Sequence, residues 1–243
     1  MKISELFYSI QGEGKRSGRP SFFIRTNFCN LRCSFTGGHL CDTPYTSWDP
    51  DDDKNIGNME ITNIVSEYAK YKSKDVVITG GEPTMQTEEL YELCKSLKEF
   101  NPNVEITIET NGTYEGEYLN YVDLISVSPK LISSTPFNTP FEKMHSNNRI
   151  NSDVLKKFNL LKSENRTDIQ WKFVINDEKD VDEIRSLQKD ICFKDEDVYL
   201  MPEGLTKEDL DKKRMMVVQL CRKNQFNFTD RLHVLIWGNK RGV

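Results

Sequence analysis

The chain has 243 residues, 37% of them hydrophobic and 29% charged, with a formal net charge of −5. That length and apolar share suit one sizeable α/β core with a well-solvated surface. The acidic balance speaks against a dedicated nucleic-acid binder, which carries a basic face. No apolar run approaches the roughly 18 residues needed to cross a bilayer, so no membrane segment is expected. The opening stretch MKISELFYSIQGEG lacks the long apolar core of a secretory signal. A cytoplasmic protein is therefore expected. Structural disulfides are rare there, and clustered cysteines bind metal or do redox chemistry.

In chain order, SFFIRT (21–26) reads as the first strand, and the acidic, turn-rich WDPDDDKNIGN (48–58) as a solvated loop. ITNIVSEYAKY patterns as a helix and DVVITG (75–80) as the second strand. EELYELCKSLKEF follows with Leu90, Leu93, Cys94 and Leu97 on one helical face, and Thr87 as its expected N-cap. VEITIET (104–110) and LISVS (124–128) read as strands. PKLISSTPFNTPFEKMHSNNRINS (129–152) carries three prolines and reads as a long surface excursion, a lid or a subunit contact. Then come the helix DVLKKFNLL, the strand IQWKFVI (169–175), the helix EKDVDEIRSLQKD, the strand VYLM (198–201), the helix LTKEDLDKKRMMVVQLCRKN and the strand LHVLIW (232–237). Several strands are continuously apolar, as buried parallel strands are. Strand, crossover helix and strand in repetition imply a parallel sheet or an open or closed barrel.

Half of the six cysteines fall in RTNFCNLRCSFTGGHLCDTPYTSW (25–48). With His39, residues Cys29, Cys33 and Cys41 have the chemistry of a Cys3His zinc site. Alternatively, three thiolates hold an iron–sulfur cubane, leaving one iron with open positions for a cofactor. The loop follows the first strand, where the C-terminal mouth of a barrel lies and chemistry is expected. Cys94, Cys192 and Cys221 follow helical patterns and read as small core residues. Downstream, VVITGGEP (76–83) places Gly80, Gly81 and Glu82 at a strand end. Glycines there let the backbone approach a ligand, and Glu82 can accept hydrogen bonds from an ammonium group.

Cys29-x3-Cys33 with Cys41, together with VVITGGEP, resembles the radical S-adenosylmethionine superfamily, whose signature is Cys-x3-Cys-x2-Cys. Here the second gap is seven residues, SFTGGHL, in which Gly37 and Gly38 are expected to turn the chain back. FYSIQGEGKRSGRPSFFIRTNFCNLRC, CDTPYTSW, ITGGEPT, ETNGT, SVSPK and LHVLIWGNKRGV resemble the 7-carboxy-7-deazaguanine synthase family within it. The resemblance implies a single radical SAM domain over 1–243, a partial, open TIM-like barrel of about six mainly parallel strands.

It also implies ring contraction of 6-carboxy-5,6,7,8-tetrahydropterin to 7-carboxy-7-deazaguanine and ammonia, on the route to queuosine or archaeosine in tRNA. Cys29, Cys33 and Cys41 would hold one [4Fe-4S] cluster, and Thr43 a Mg2+ ion that touches the substrate carboxylate. Gly80, Gly81, Glu82, Ser128, Pro129, Lys130, Gln170 and Lys172 would meet S-adenosylmethionine. Ile10, Gln11, Gly12, Glu13, Arg25, Thr79, Glu109 and His233 would meet the pterin. Arg25 suits a carboxylate, which its guanidinium grips with two hydrogen bonds. A flavodoxin- or ferredoxin-type electron donor and a homodimer are implied as partners. Two rival readings are a glycyl-radical activase acting on a polypeptide and a zinc-stabilised binding module.

Overall fold

The computed structural model describes every residue of the chain except Thr36 and Gly37. Its strands form one sheet. They are β1 (Lys2–Ile10), β2 (Pro20–Thr26), β3 (Gly57–Asn58), β4 (Asp75–Gly80), β5 (Glu105–Thr110), β6 (Leu124–Val127), β7 (Asp168–Ile175), β8 (Val198–Pro202) and β9 (Asn227–Phe228). Their order is β3-β1-β2-β4-β5-β6-β7-β8-β9. From β2 onward every pairing is parallel, whereas β1 runs antiparallel to β2 and to the short edge strand β3. Helices α1 (Ile61–Tyr71), α2 (Thr87–Phe100), α4 (Ser152–Ser163), α5 (Asp180–Ile191) and α6 (Lys207–Asn224) cross between strands, and α3 (Glu142–Asn148) and α7 (Leu232–Trp237) are short additions. Neighbouring strands following each other in sequence, each after a crossover, give the open barrel arc expected of the chain.

Side-chain alternation sorts the two faces. Ile24, Ile78, Ile108, Ile125, Trp171, Phe173 and Leu200 point to the helices and are buried in the core. Trp171 stacks on Phe193 with ring centroids 4.6 Å apart. Each such large side chain contributes about 2 kcal/mol by leaving water. The other face is polar. Arg25 lies opposite Thr79, Glu109 opposite Ser126, and Ser126 opposite Gln170. A polar concave face that helices do not cover is what a central cavity requires. Below it, a tight turn at Gly14–Arg16 plugs the arc. There Arg16 donates to Asp75 at 2.7 Å and to the Thr107 hydroxyl at 2.8 Å.

Five expectations are corrected. LHVLIW is the helix α7, not a strand. A six-residue apolar run has no period long enough to decide, and β9 already occupies the sheet edge. The helix α2 is capped at Gln86, and the Thr87 hydroxyl donates to Thr84 O at 2.8 Å instead of accepting from the helix. Cys94 and Cys221 are buried, but Cys192 is exposed, in a left-handed conformation that ends α5. The segment 48–58 is not simply solvated, because Gly57 and Asn58 pair with β1. The excursion 129–152 is tied inward too: Leu131, Ser134, Thr135 and His145 are all buried.

Candidate active site

A cavity of about 480 Å³ opens at the C-terminal ends of the parallel strands. Cys29, Cys33 and Cys41 line one part of its wall, together with Thr43, Gly80, Gly81, Ser128 and Lys130. Ile10, Gln11, Gly12, Glu13, Arg25, Thr79, Glu109, Lys172 and His233 line the rest. Two expected residues are not brought there: neither Pro129 nor Gln170 is among the lining residues. Gln170 sits one strand repeat deeper than Lys172. Its amide donates to Ser126 Oγ at 2.7 Å and accepts from Lys15 N–H at 2.7 Å, so it pins the turn that follows Glu13.

The long cysteine gap is closed by a small antiparallel hairpin. Ser34 pairs with Leu40, Phe35 N–H donates to His39 O at 2.7 Å, and Cys41 N–H donates to Cys33 O at 3.1 Å. Cys33 and Cys41 thus become cross-strand neighbours in spite of the seven residues between them. Gly38 has the positive φ (+82°) expected of the turn, and Gly37 lies outside the described residues. On the other side, Arg32 clasps its own loop by donating to the carbonyls of Cys29 (2.8 Å) and Leu31 (3.0 Å). Trp48 Nε1 donates to Cys33 O at 3.1 Å.

The donor set suits a cluster better than a single ion. His39 faces away from the thiols, with Nδ1 3.1 Å from Glu203 Oε1. Among the described residues no three His, Cys, Asp or Glu side chains converge closely enough to hold one metal ion. Three thiols spread around one cavity wall fit a multi-iron group, which separates its ligands more widely than a tetrahedral zinc does. Burial pushes the Cys29 thiol up to about 12 and raises Cys33 and Cys41 as well. Metal loading would therefore displace protons from all three.

Gly80 and Gly81 are required by the cysteine loop itself. A Cβ on Gly81 would collide with Phe28 O, and one on Gly80 with the Thr26 backbone. Gly81 N–H donates to Thr26 O at 3.2 Å and Glu82 N–H to Phe28 O at 2.8 Å, so β4 and the start of the loop lie directly against each other. The role expected for the Glu82 side chain is corrected. Its carboxylate is fully buried and accepts from Thr84 N (3.1 Å), Thr84 Oγ1 (2.5 Å), Thr110 Oγ1 (2.7 Å) and Asn111 N (2.6 Å). It organises three strand-end residues and is not among the residues lining the cavity.

Charges are concentrated around Glu13. Glu13 is held by Lys172 Nζ at 2.5 Å and by Arg231 Nε at 3.1 Å. Burial acts to raise the Glu13 carboxyl, but Lys172, Arg231 and His233 override it and hold the group well below the ordinary range. Lys172, expected near the cofactor, is engaged by Glu13 and lies 3.6 Å from Glu109. Glu109 also accepts from Gln11 Nε2 at 3.1 Å and Thr79 Oγ1 at 2.9 Å. His233 packs on Gly12 and stays 4.0 Å from Glu13 Oε1; burial lowers its pKa, so the ring is neutral near pH 7. Arg25 donates to Glu5 Oε2 at 2.9 Å from its place in the wall. Thr43 Oγ1 lies 3.5 Å from Cys41 Sγ.

Sequence reasoning missed Arg231, whose guanidinium joins Glu13, Asp42 and Gly204 O. It stands two residues before His233, just outside the stretch that carried the resemblance. Asp42, next to Cys41, is the partner of Arg231. The tail Asn239–Val243 also lines the cavity rim. Arg241 anchors it by pairing with Glu5 and lying over the Tyr45 ring at 4.0 Å.

A profile of the Radical SAM superfamily matches residues 23–176. The chain is 39% identical to the 7-carboxy-7-deazaguanine synthase of Halobacterium salinarum, over 98% of this chain and 91% of that protein. It is 36% identical to the synthase of Rhodopirellula baltica, over 99% and 88%. The crystal structure of QueE from Escherichia coli shares the fold, with a TM-score of 0.65 at 21% identity over 95% and 93% of the two chains. The hairpin that brings a third cysteine to the first two, the glycine pair wedged against it and these full-length likenesses agree: the chain belongs to the 7-carboxy-7-deazaguanine synthase family of the radical SAM superfamily.

Proposed function

We propose that this chain contracts the ring of 6-carboxy-5,6,7,8-tetrahydropterin to give 7-carboxy-7-deazaguanine and ammonia, acting as one catalytic domain over residues 1–243. The observation that carries the proposal is a single cavity lined both by the thiols of Cys29, Cys33 and Cys41 and by Gln11, Glu13, Arg25, Glu109 and His233. The names of the relatives support the product.

When bound, the [4Fe-4S] cluster and S-adenosylmethionine supply the hydrogen-abstracting radical. The chain's own residues hold and orient. Cys29, Cys33 and Cys41 anchor the cluster. The backbone of Gly80 and Gly81, with Ser128 and Lys130, borders the cofactor. Lys130 Nζ donates to Ser128 Oγ at 2.8 Å, leaving the ammonium free to meet a carboxylate as well. Glu13, kept ionised by Lys172 and Arg231, accepts from the amino-pyrimidinone edge of the pterin. Arg25 would grip the substrate carboxylate, and the Thr43 hydroxyl would be the protein ligand of a Mg2+ ion that helps to hold it. Mg2+ favours oxygen donors and keeps several waters, so a single protein ligand beside a substrate carboxylate is enough.

A reductant of flavodoxin or ferredoxin type, a homodimer and a cytoplasmic setting complete the reading. No helix among the described residues is long and apolar enough to cross a membrane. A cavity of about 480 Å³ with convergent polar groups suits a pterin. The test is anaerobic reconstitution with iron and sulfide, then incubation with dithionite, S-adenosylmethionine and the carboxytetrahydropterin. Mass spectrometry should detect the deazaguanine. Brown, iron-loaded protein that turns over no pterin would overturn the substrate assignment.

A further inference from the structure

The hairpin between Cys33 and Cys41 has two cross-strand backbone hydrogen bonds among its described residues. A two-stranded hairpin of that size is marginal by itself. A seven-residue gap also has more conformations to lose than the two-residue gap of the superfamily signature. Something outside the hairpin must fix Cys41. On the outgoing strand Ser34 N–H donates to Ser134 O at 2.9 Å. On the returning strand His39 Nδ1 meets Glu203 Oε1 at 3.1 Å.

Glu203 is a rigid anchor. It is 3% exposed, its N–H donates to Ile175 O at 3.0 Å, and its second carboxylate oxygen is paired with Lys213. Lys213 in turn donates to Asn176 Oδ1 at 2.9 Å. On the far side of Cys41, Asp42 is paired with Arg231, whose NH1 donates to Gly204 O at 2.6 Å. The chain is therefore held on both sides of Cys41: at position 39 by Glu203, and at position 42 by Arg231, which is itself bonded to Gly204 O. Neither His39 nor Glu203 lines the cavity, so neither touches a ligand there.

We propose that His39, anchored on Glu203, is a positioning residue for the iron–sulfur cluster: it locks the return strand of the hairpin so that Cys41 is held beside Cys33. This rests on the reading of the three cysteines as cluster ligands. It is a device of this chain's long cysteine gap, and a Cys-x2-Cys spacing would not need it.

The test uses the whole reconstituted protein. Iron and sulfide per chain, and the rate of iron loss to a chelator, are measured for His39→Leu, His39→Asn and Glu203→Ala. Loss of an outer partner of a metal ligand typically weakens metal retention ten- to a hundredfold, so His39→Leu and Glu203→Ala should release iron about tenfold faster. His39→Asn keeps an N–H near the Nδ1 position and should behave as wild type. Melting curves of the metal-free proteins should coincide. The same Glu203→Ala change is then made in a chain lacking residues 36–40, which restores a Cys-x2-Cys spacing; there it should not alter the rate. Wild-type iron release by His39→Leu overturns the clamp, as does equal acceleration by Glu203→Ala in both backgrounds. Cys41→Ala separates the two readings. If that variant keeps its full iron, the ligand assignment fails and the clamp with it. If it loses iron while His39→Leu does not, only the clamp fails.

Discussion

Lys172 Nζ lies 2.5 Å from Glu13 Oε2, in an ion pair whose side chains are 6% and 11% exposed. The pair joins β7 to the loop after β1, so it sets the floor of the cavity as well as the charge on Glu13. Removing Lys172 takes away the nearer of the two cations that hold Glu13 and leaves only Arg231 bonded to it, a loss at the low end of the roughly 3–5 kcal/mol that breaking a buried pair costs. Lys172→Met should therefore lower the unfolding free energy by about 3 kcal/mol. Adding Glu13→Gln to it should cost much less than the sum of the two single changes. Urea denaturation of the four proteins measures the coupling, and simple additivity would show that the pair is not one unit.

The same pair predicts an acid response. The folded-state pKa of Glu13 is depressed. Its contribution is thus present above the unfolded carboxylate range, near pH 4.3, and is lost as pH falls toward the folded value. Wild-type stability should drop more steeply below about pH 4.5 than that of Glu13→Gln, measured by urea midpoints across pH.

His145 adds a second acid-sensitive step, at higher pH. It is buried in the excursion; Nδ1 accepts from Arg32 N–H at 3.3 Å, and Nε2 lies 3.2 Å from Ser134 Oγ. Burial first, and Arg149 and Lys130 after it, lower its pKa from 6.5 to about 4. The folded protein keeps the ring neutral while the unfolded chain takes up a proton below pH 6.5. Stability should fall as pH drops from 6.5 toward 4, and His145→Gln should flatten that part of the curve.

Gly81→Ala tests why the glycine pair is there. The added methyl would meet Phe28 O, next to Cys29. Phe28 already has a positive φ of 73°, so the loop has little freedom to yield. The variant should fold but reconstitute with clearly less iron per chain than wild type. Full iron content would mean that the glycine serves only the cofactor.

Arg231→Lys should separate positioning from charge. A lysine keeps the cation but cannot bond Glu13, Asp42 and Gly204 O together. Charged hydrogen bonds of this kind are worth about 1.5–3 kcal/mol, so kcat/KM for the pterin should fall about ten- to a hundredfold. Unchanged kinetics would remove Arg231 from the site.

Much of this arrangement was readable along the chain. Apolar or alternating runs at 75–80, 104–110, 124–128 and 169–175 mark strands with a face buried under helices, and all four are parallel strands of the sheet. What failed failed for a physical reason. LHVLIW has the composition of a strand, and only the packing of Leu232 N–H onto Gly12 O at 2.9 Å, with β9 already on the edge, makes it a helix. Glu82 and Gln170 have the right chemistry for a ligand. Their side chains are nonetheless taken up, by the nearby Thr84 and by Thr110, Asn111 and Ser126, which strand pairing brings from 28 to 44 residues away.

The amino-acid order alone determined the alternation of strand and helix, the three thiols at the end of the first parallel strand and the glycines at the end of the next. These are local properties: periodicity, residue type and short spacing. The tertiary structure decided which cysteines become neighbours, that His39 turns from them to Glu203, and that Arg231 joins the two ends of the cavity. The contacts of His39 and Arg231 span from 27 to 218 residues of sequence. Nothing in a local pattern records which buried charge will find which partner, because that pairing depends on where the sheet carries each strand end.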